Sequence, residues 1–197
     1  FERWCASMVF KAKNRYAATV KWTDGEYHET PQVYIKGIEV KQKRMFPVMK
    51  EVMGLTLSAL LSGSSLEKQT TKEICERISG ILSGDVDTNQ LCMKGKLERN
   101  LSSYKVLSGS SAGAKWANDT LGKGYRAGSN FKVSLDTNGR YIAFDTIEDI
   151  EGFCEIGSRH IVERFIVKKV EPYYELAKWD MQPLYNAMNQ IPSEGFI

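Results

Sequence analysis

The stretch from Phe10 to Gln42, FKAKNRYAATVKWTDGEYHETPQVYIKGIEVKQ, constrains this chain more than any other. Residues Met8 to Trp22 read as one strand that mixes apolar residues with four cations, Lys11, Lys13, Arg15 and Lys21. Asp24-Gly25 follows, a strong short hairpin signal because both positions tolerate the positive φ of a tight turn. Glu26 to Thr30 reads as a polar turn, and Pro31 stands just before the return strand, where its missing N–H is harmless. The return half, Gln32 to Arg44, is again β-branched and ends in a basic run. Successive side chains in a strand point to opposite faces. One face of this hairpin can therefore be buried while the other carries a row of Lys, Arg, Asn and Gln. Such a row suits the phosphates and minor-groove edges of a duplex.

Lys13-Asn14-Arg15-Tyr16-Ala17 resembles the Lys-Lys-Arg-Tyr-Ala/Gly element of family B DNA polymerases, and Ile35-Lys36-Gly37-Ile38-Glu39 resembles the Lys-Gly-φ-Glu element that follows it. In that family these paired strands close the palm and grip the primer-template duplex behind the active site. The order and spacing of the two motifs, on a hairpin, carry the resemblance, which then implies that everything after Arg44 is thumb. Lys13 matches the first Lys of the element, which reaches the primer end and the minor groove. Asn14 replaces the second Lys; its amide still donates to the minor-groove acceptors that every base pair shows, but gives up a charge. Arg15 and Tyr16 match outright and are expected on the primer backbone. Lys36 and Gly37 match the second motif. Gln42 falls where relatives carry a cation, flanked by Lys41 and Lys43.

Further along, Met45-Phe46-Pro47 breaks the strand pattern, and Pro47 suits the first position of a helix over Val48 to Leu61. Apolar residues cover more than half of its circumference, which predicts a largely buried helix. After Gly63-Ser64-Ser65, a second helix over Leu66 to Leu82 keeps Ile74, Ile78, Ile81 and Leu82 on one side and charges on the other, so the two form an antiparallel pair. Residues Thr88 to Tyr104 resemble the family's thumb segment, a short strand with an apolar-x-Lys-x-Leu core before a loop and a Tyr. Lys94, Lys96, Arg99 and, on a small helix over Ala112 to Asn118, Lys115 are candidate contacts to the duplex. Trp116, Tyr104 and Phe131 read as core aromatics. Gly124 and Gly128 lie in a structural turn, with no Walker pattern. A strand over Phe131 to Leu135 returns through Asn138-Gly139 to Tyr141 to Phe144, a small β-element among helices. Thr146 to Cys154 reads as an acidic loop or short helix. A helix from Arg159 is stopped or kinked at Pro172, and Asp180 to Met188 adds a last turn or two. The closing residues 188–197 end in Phe196-Ile197, which looks like the apolar end of a sliding-clamp-binding tail.

Composition adds limits. The 197 residues carry 27 Lys or Arg against 24 Asp or Glu, a net charge of +3 that identifies no partner class. Between Lys11 and Arg44, however, eight cations face four carboxylates. Cys5, Cys75, Cys92 and Cys154 are scattered, His28 and His160 are far apart, and no spacing suggests a zinc site. Reduced thiols in a cytoplasmic protein (host cytoplasm if the source is viral) are expected. No apolar run approaches a membrane span and no signal peptide opens the chain. An opening Phe1, within a segment that reads as amphipathic, gives the expectation of a fragment, a processed piece or half of a split protein.

The expected fold class is α+β, with an antiparallel palm-closing hairpin followed by a mostly helical thumb and its inserted β-element. The resemblance divides the chain into palm strands over 1–44, thumb over 45–187 and tail over 188–197, and is closest to the T-even-like bacteriophage branch. The resemblance implies that the complete polymerase uses Mg2+ held by palm carboxylates, which the family places on Asp-x-x-Ser-Leu-Tyr-Pro and Tyr-x-Asp-Thr-Asp elements. Neither element occurs in this sequence. No catalytic or metal-binding residue is therefore assigned, and the chain alone is expected to be inactive. Its expected partners are primer-template DNA, the rest of the polymerase as upstream sequence or a partner chain, and a sliding clamp bound by Phe196 and Ile197. Two other readings stay open: a stand-alone nucleic-acid-binding module sharing only the basic hairpin, and an interaction protein whose helices bind a protein partner.

Overall fold

A computed structural model describes residues 3–38, 44–62 and 66–189. The fold is α+β, with two antiparallel three-stranded sheets among helices. The first sheet has the order β1 (Arg3–Ala12), β2 (Arg15–Thr23), β3 (Glu26–Lys36). The Asp24-Gly25 turn forms as expected, with φ of 50° and 97°. Both are positive, the geometry whose twist matches that of the flanking strands.

Four expectations for this region are corrected. Residues 8–22 are not one strand: a turn at Lys13-Asn14 divides them, and Ala12 pairs with Arg15 across it. Residues 26–30 are not a turn but the start of β3, because Asp24-Gly25 completes the reversal in two residues. Pro31 accordingly lies within β3, a position open to it on an edge strand. Nor do the cations line one face. Ala17 and Ala18 point to opposite faces yet are both fully buried, and Lys13, Arg15 and Lys36 are exposed together at one end of the sheet.

Pro47 opens α1 (Pro47–Ser62), and α2 (Glu67–Leu82) packs against it, with Arg77 pairing with Glu51 between them. The second sheet is β4 (Met93–Lys96), β5 (Asn130–Leu135) and β6 (Tyr141–Phe144), with β5 in the centre and α3 (Ser110–Leu121) packed against it.

The helix expected to stop or kink at Pro172 runs through it. It comprises α4 (Ser158–Ile161), a π-helical segment Val162–Val167, and α5 (Lys168–Ala177), which contains the proline. The π-helical segment directly precedes α5, and the proline sits at the fifth residue of α5. A left-handed Lys178 ends α5, and α6 (Gln182–Asn189) follows.

The largest core joins the first sheet to the helices. Val9, Ala17 and Ile38 pack in one cluster with Phe46, Val52, Leu57, Ile74, Ile78, Ile166 and Tyr174. Leu97, Ala114, Phe131 and Val133 form a smaller cluster between α3 and the second sheet. Leu135 belongs to the large cluster and Val133 to the small one, so β5 ties the two together.

Candidate nucleic-acid interface

Asn14 has φ of 60°, in the left-handed region that Asn enters more readily than most residues. This lets β1 reverse into β2 without a glycine and places Lys13, Asn14 and Arg15 at an exposed apex. On the other side of β2, Tyr16 pairs directly with Lys36 at the end of β3. The next residue, Gly37, has φ of 65°, and a Cβ there would overlap the carbonyl oxygen of Asn14 and approach Arg15 Cγ at 3.2 Å. Only glycine lets the backbone of the second motif lie against the turn of the first. Ile38, 2% exposed, then anchors the strand end in the large core. Burying such a side chain stabilises by about 1.5–3 kcal/mol.

Two motifs some twenty residues apart thus form one surface. Lys13, Asn14, Arg15, Lys36 and Gly37 are exposed; Tyr16 is half-buried, its ring 6.0 Å from that of Tyr34 and tilted by 41°. No described carboxylate pairs with Lys13, Arg15 or Lys36. Lys41, Gln42, Lys43, Phe196 and Ile197 lie outside the described residues.

A second basic region forms on β4. Gly95 faces inward, where a Cβ would meet Phe131 and Val133 at 2.5 Å, so Lys94 and Lys96 are turned outward. Arg99 stacks over the Tyr104 ring, 4.8 Å from its centroid, and Arg44 pairs with Glu98. The Arg44 hydrogen bond, and then the charge of Lys96, hold the Glu98 carboxyl below its usual range. Lys115 stands apart from this group: on α3 it pairs with Asp119 at 2.8 Å and borders a hollow with Trp116, Arg140 and Tyr141. Phe131 is buried, while Trp116 and Tyr104 pack partly buried against the second sheet's core, as expected of core aromatics.

Sequence reasoning missed Lys50 and Lys132, which share a groove of about 470 Å³ with Lys94, Asn89 and Cys92. The signal for Lys132 was its place between the inward Phe131 and Val133 of a strand. Lys50 had no comparable signal, because only the fold brings the start of α1 to β4.

Among the described residues, no three His, Cys, Asp or Glu side chains are placed to hold a metal ion. No described helix is long and apolar enough to cross a membrane.

The family model for DNA polymerase family B matches residues 1–119, which include both motifs, α1, α2 and β4. No curated protein matches the chain. With the two motifs locked together at the end of the first sheet and the family match spanning well over half of the sequence, the chain belongs to DNA polymerase family B.

Proposed function

We propose that this chain is the part of a template-dependent DNA polymerase that grips the primer-template duplex, comprising the C-terminal palm strands and the thumb. The observation that carries the reading is the seating of Gly37 against the Asn14 carbonyl, which gathers Lys13, Arg15 and Lys36 on one exposed edge. In this reading residues 1–44 belong to the palm, 45–187 to the thumb and 188–197 to a clamp-binding tail. The carboxylates that hold Mg2+ and perform nucleotidyl transfer lie outside this chain, which positions DNA and is inactive by itself. The helix pair and the apolar Phe196-Ile197 end favour the T-even-like bacteriophage branch, with function in the host cytoplasm.

The chemistry required of this edge is electrostatic. Each lysine or arginine that neutralises a phosphate releases counterions, adding about 0.9 to the slope of log K against log salt. Fluorescence anisotropy of a recessed primer-template at two salt concentrations tests the reading. Native chain should bind in a salt-sensitive way, and a Lys13→Ala/Arg15→Ala variant should lose affinity and about 1.8 from the slope if both contact phosphate. Equal binding by both chains, or none by either, would reject the duplex-gripping role.

A further inference from the structure

We propose that the hollow between α3 and the β5–β6 turn binds an unpaired nucleoside phosphate, its base stacked on Trp116 and its phosphate held by Arg140 and Lys115. The proposal rests on the DNA-handling reading only for the class of ligand at hand, and it concerns nucleotides outside a duplex.

The hollow measures about 450 Å³, within the range of small-ligand sites. Ala112, Lys115, Trp116 and Asp119 are spaced three, one and three residues apart, which puts them on one face of α3. Arg140 and Tyr141 close the hollow from the hairpin. The Trp116 indole is half-buried: it packs against the core of the second sheet, which fixes the ring, and it also borders the hollow. A fixed aromatic ring with an open side suits base stacking, and every base has a π-face to offer it. Bases inside a duplex are already stacked on one another, so the ring selects unpaired ones.

The Arg140 guanidinium is held in place by a carboxylate that water barely reaches. The Asp136 side chain is 1% exposed, and its Oδ2 accepts from Arg140 Nε and Nη2, both at 2.7 Å. Its Oδ1 accepts from the backbone N–H groups of Asn138 and Arg140. A buried carboxylate is costly unless paired and hydrogen-bonded, as this one is. The arginine it orients is 63% exposed in its side chain, a group suited to phosphate oxygens. Arg164 Nη1 donates to the Gly139 carbonyl at 2.9 Å and pairs with no described carboxylate. Lys115, Arg140 and Arg164 thus outnumber Asp119 and Asp136 around the hollow, which favours an anion.

Asp119 narrows the choice of anion. Its 2.8 Å pair with Lys115 joins side chains that are both more than half exposed, and such surface pairs contribute little. A phosphate that draws Lys115 away leaves the Asp119 carboxylate to accept from a base amino group. Adenine, cytosine and guanine carry one and thymine does not. The acidic side chain of a peptide offers no such donor at that point.

Anisotropy of a labelled dC strand of about ten nucleotides tests the proposal, with thermal unfolding alongside. Native chain should bind it, Trp116→Leu should bind about 5- to 150-fold more weakly for the loss of one stacked base, and Trp116→Phe should retain binding. Lys115→Gln should lose about 0.7 from the salt slope. A dT strand of equal length should bind more weakly than dC, and a blunt duplex should not distinguish Trp116→Leu from native. Excess deoxycytidine monophosphate separates the two sources of this chemistry: displacement of the strand assigns the hollow to free nucleotide, and its absence to a strand, either of which supports the site. No strand binding by native chain, or native binding by a folded Trp116→Leu, overturns the proposal. So does equal loss in Trp116→Phe with a lowered melting temperature, which would make the ring structural. Where Trp116→Leu does not fold, an unchanged slope in Lys115→Gln overturns it. Lys13→Ala/Arg15→Ala should keep strand binding near native; loss there alone would place the strand at the motif edge and also overturn it. The DNA-gripping reading is judged separately, by recessed primer-template binding of that same variant.

Discussion

At position 14 charge and backbone shape make opposite demands. Resemblance to the family favours lysine there, whereas the turn requires φ of 60°. A longer, charged side chain in that conformation costs about 1 kcal/mol. Asn14→Lys should therefore steepen the salt slope of primer-template binding by about 0.9 while lowering the melting temperature. Equal slopes for the variant and the native chain would show that this position does not face phosphate. Gly37→Ala should be more severe, since it adds both a strained φ and overlap with the Asn14 carbonyl. We expect a loss of at least about 2 kcal/mol in denaturant unfolding, together with weakened DNA binding. Unchanged stability would mean that the strand end relaxes away from the turn without cost. The sequence pointed to the residues of this edge through two separate motifs, but their convergence was not legible. It depends on a left-handed Asn14 flanked by Lys13 and Arg15, which carries none of the glycine signal that marks residues 24 and 25.

At the scale of elements, legibility followed local chemistry. Pro47 marked the start of α1, the isoleucine spacing marked α2, and Asn138-Gly139 marked the turn between β5 and β6, because each signal acts within a few residues. The helix through Pro172 was not legible, since a proline signals a break locally while the helix around it is held by tertiary packing. Val162, Ile166, Val170 and Tyr174 are all buried in the large core along that helix. Tyr174 also meets Thr71 of α2 in a buried hydrogen bond of 3.0 Å. Thr71→Val should leave the phenol without that partner and cost about 1–3 kcal/mol, checked by urea unfolding. A cost near zero would mean that the α2–α5 contact is held by apolar packing alone.

For the molecule as a whole, cooperativity follows from shared core residues. Phe46 is fully buried, packs edge-on against Phe165 at 4.7 Å and lies in the cluster that contains Ala17 of the first sheet. Phe46→Ala should cost about 3–5 kcal/mol and destabilise the sheet and helices in one transition, followed by circular dichroism and tryptophan fluorescence together. Separate transitions would show that the sheet folds independently of the helices. Alkaline pH provides another whole-molecule test. Burial, and for Tyr125 next the hydrogen bond its hydroxyl donates to Asp145 at 2.8 Å, push the phenols of Tyr125 and Tyr174 upward. The unfolded phenols ionise near pH 10, so above that pH the unfolded chain holds fewer protons than the folded one and stability falls as pH rises. Melting temperature should drop above about pH 10, and less steeply in Tyr125→Phe; identical profiles would exclude Tyr125 as a contributor. The seat of Gly37 on Asn14 also has a consequence for protein engineering. The two motifs behave as a lock and its bolt, so a chimaera that exchanges the Lys13-to-Ala17 loop with a relative while keeping the recipient's strand end would inherit the charges without their alignment. Exchanging residues 3–38 as one cassette would carry both halves of the fit.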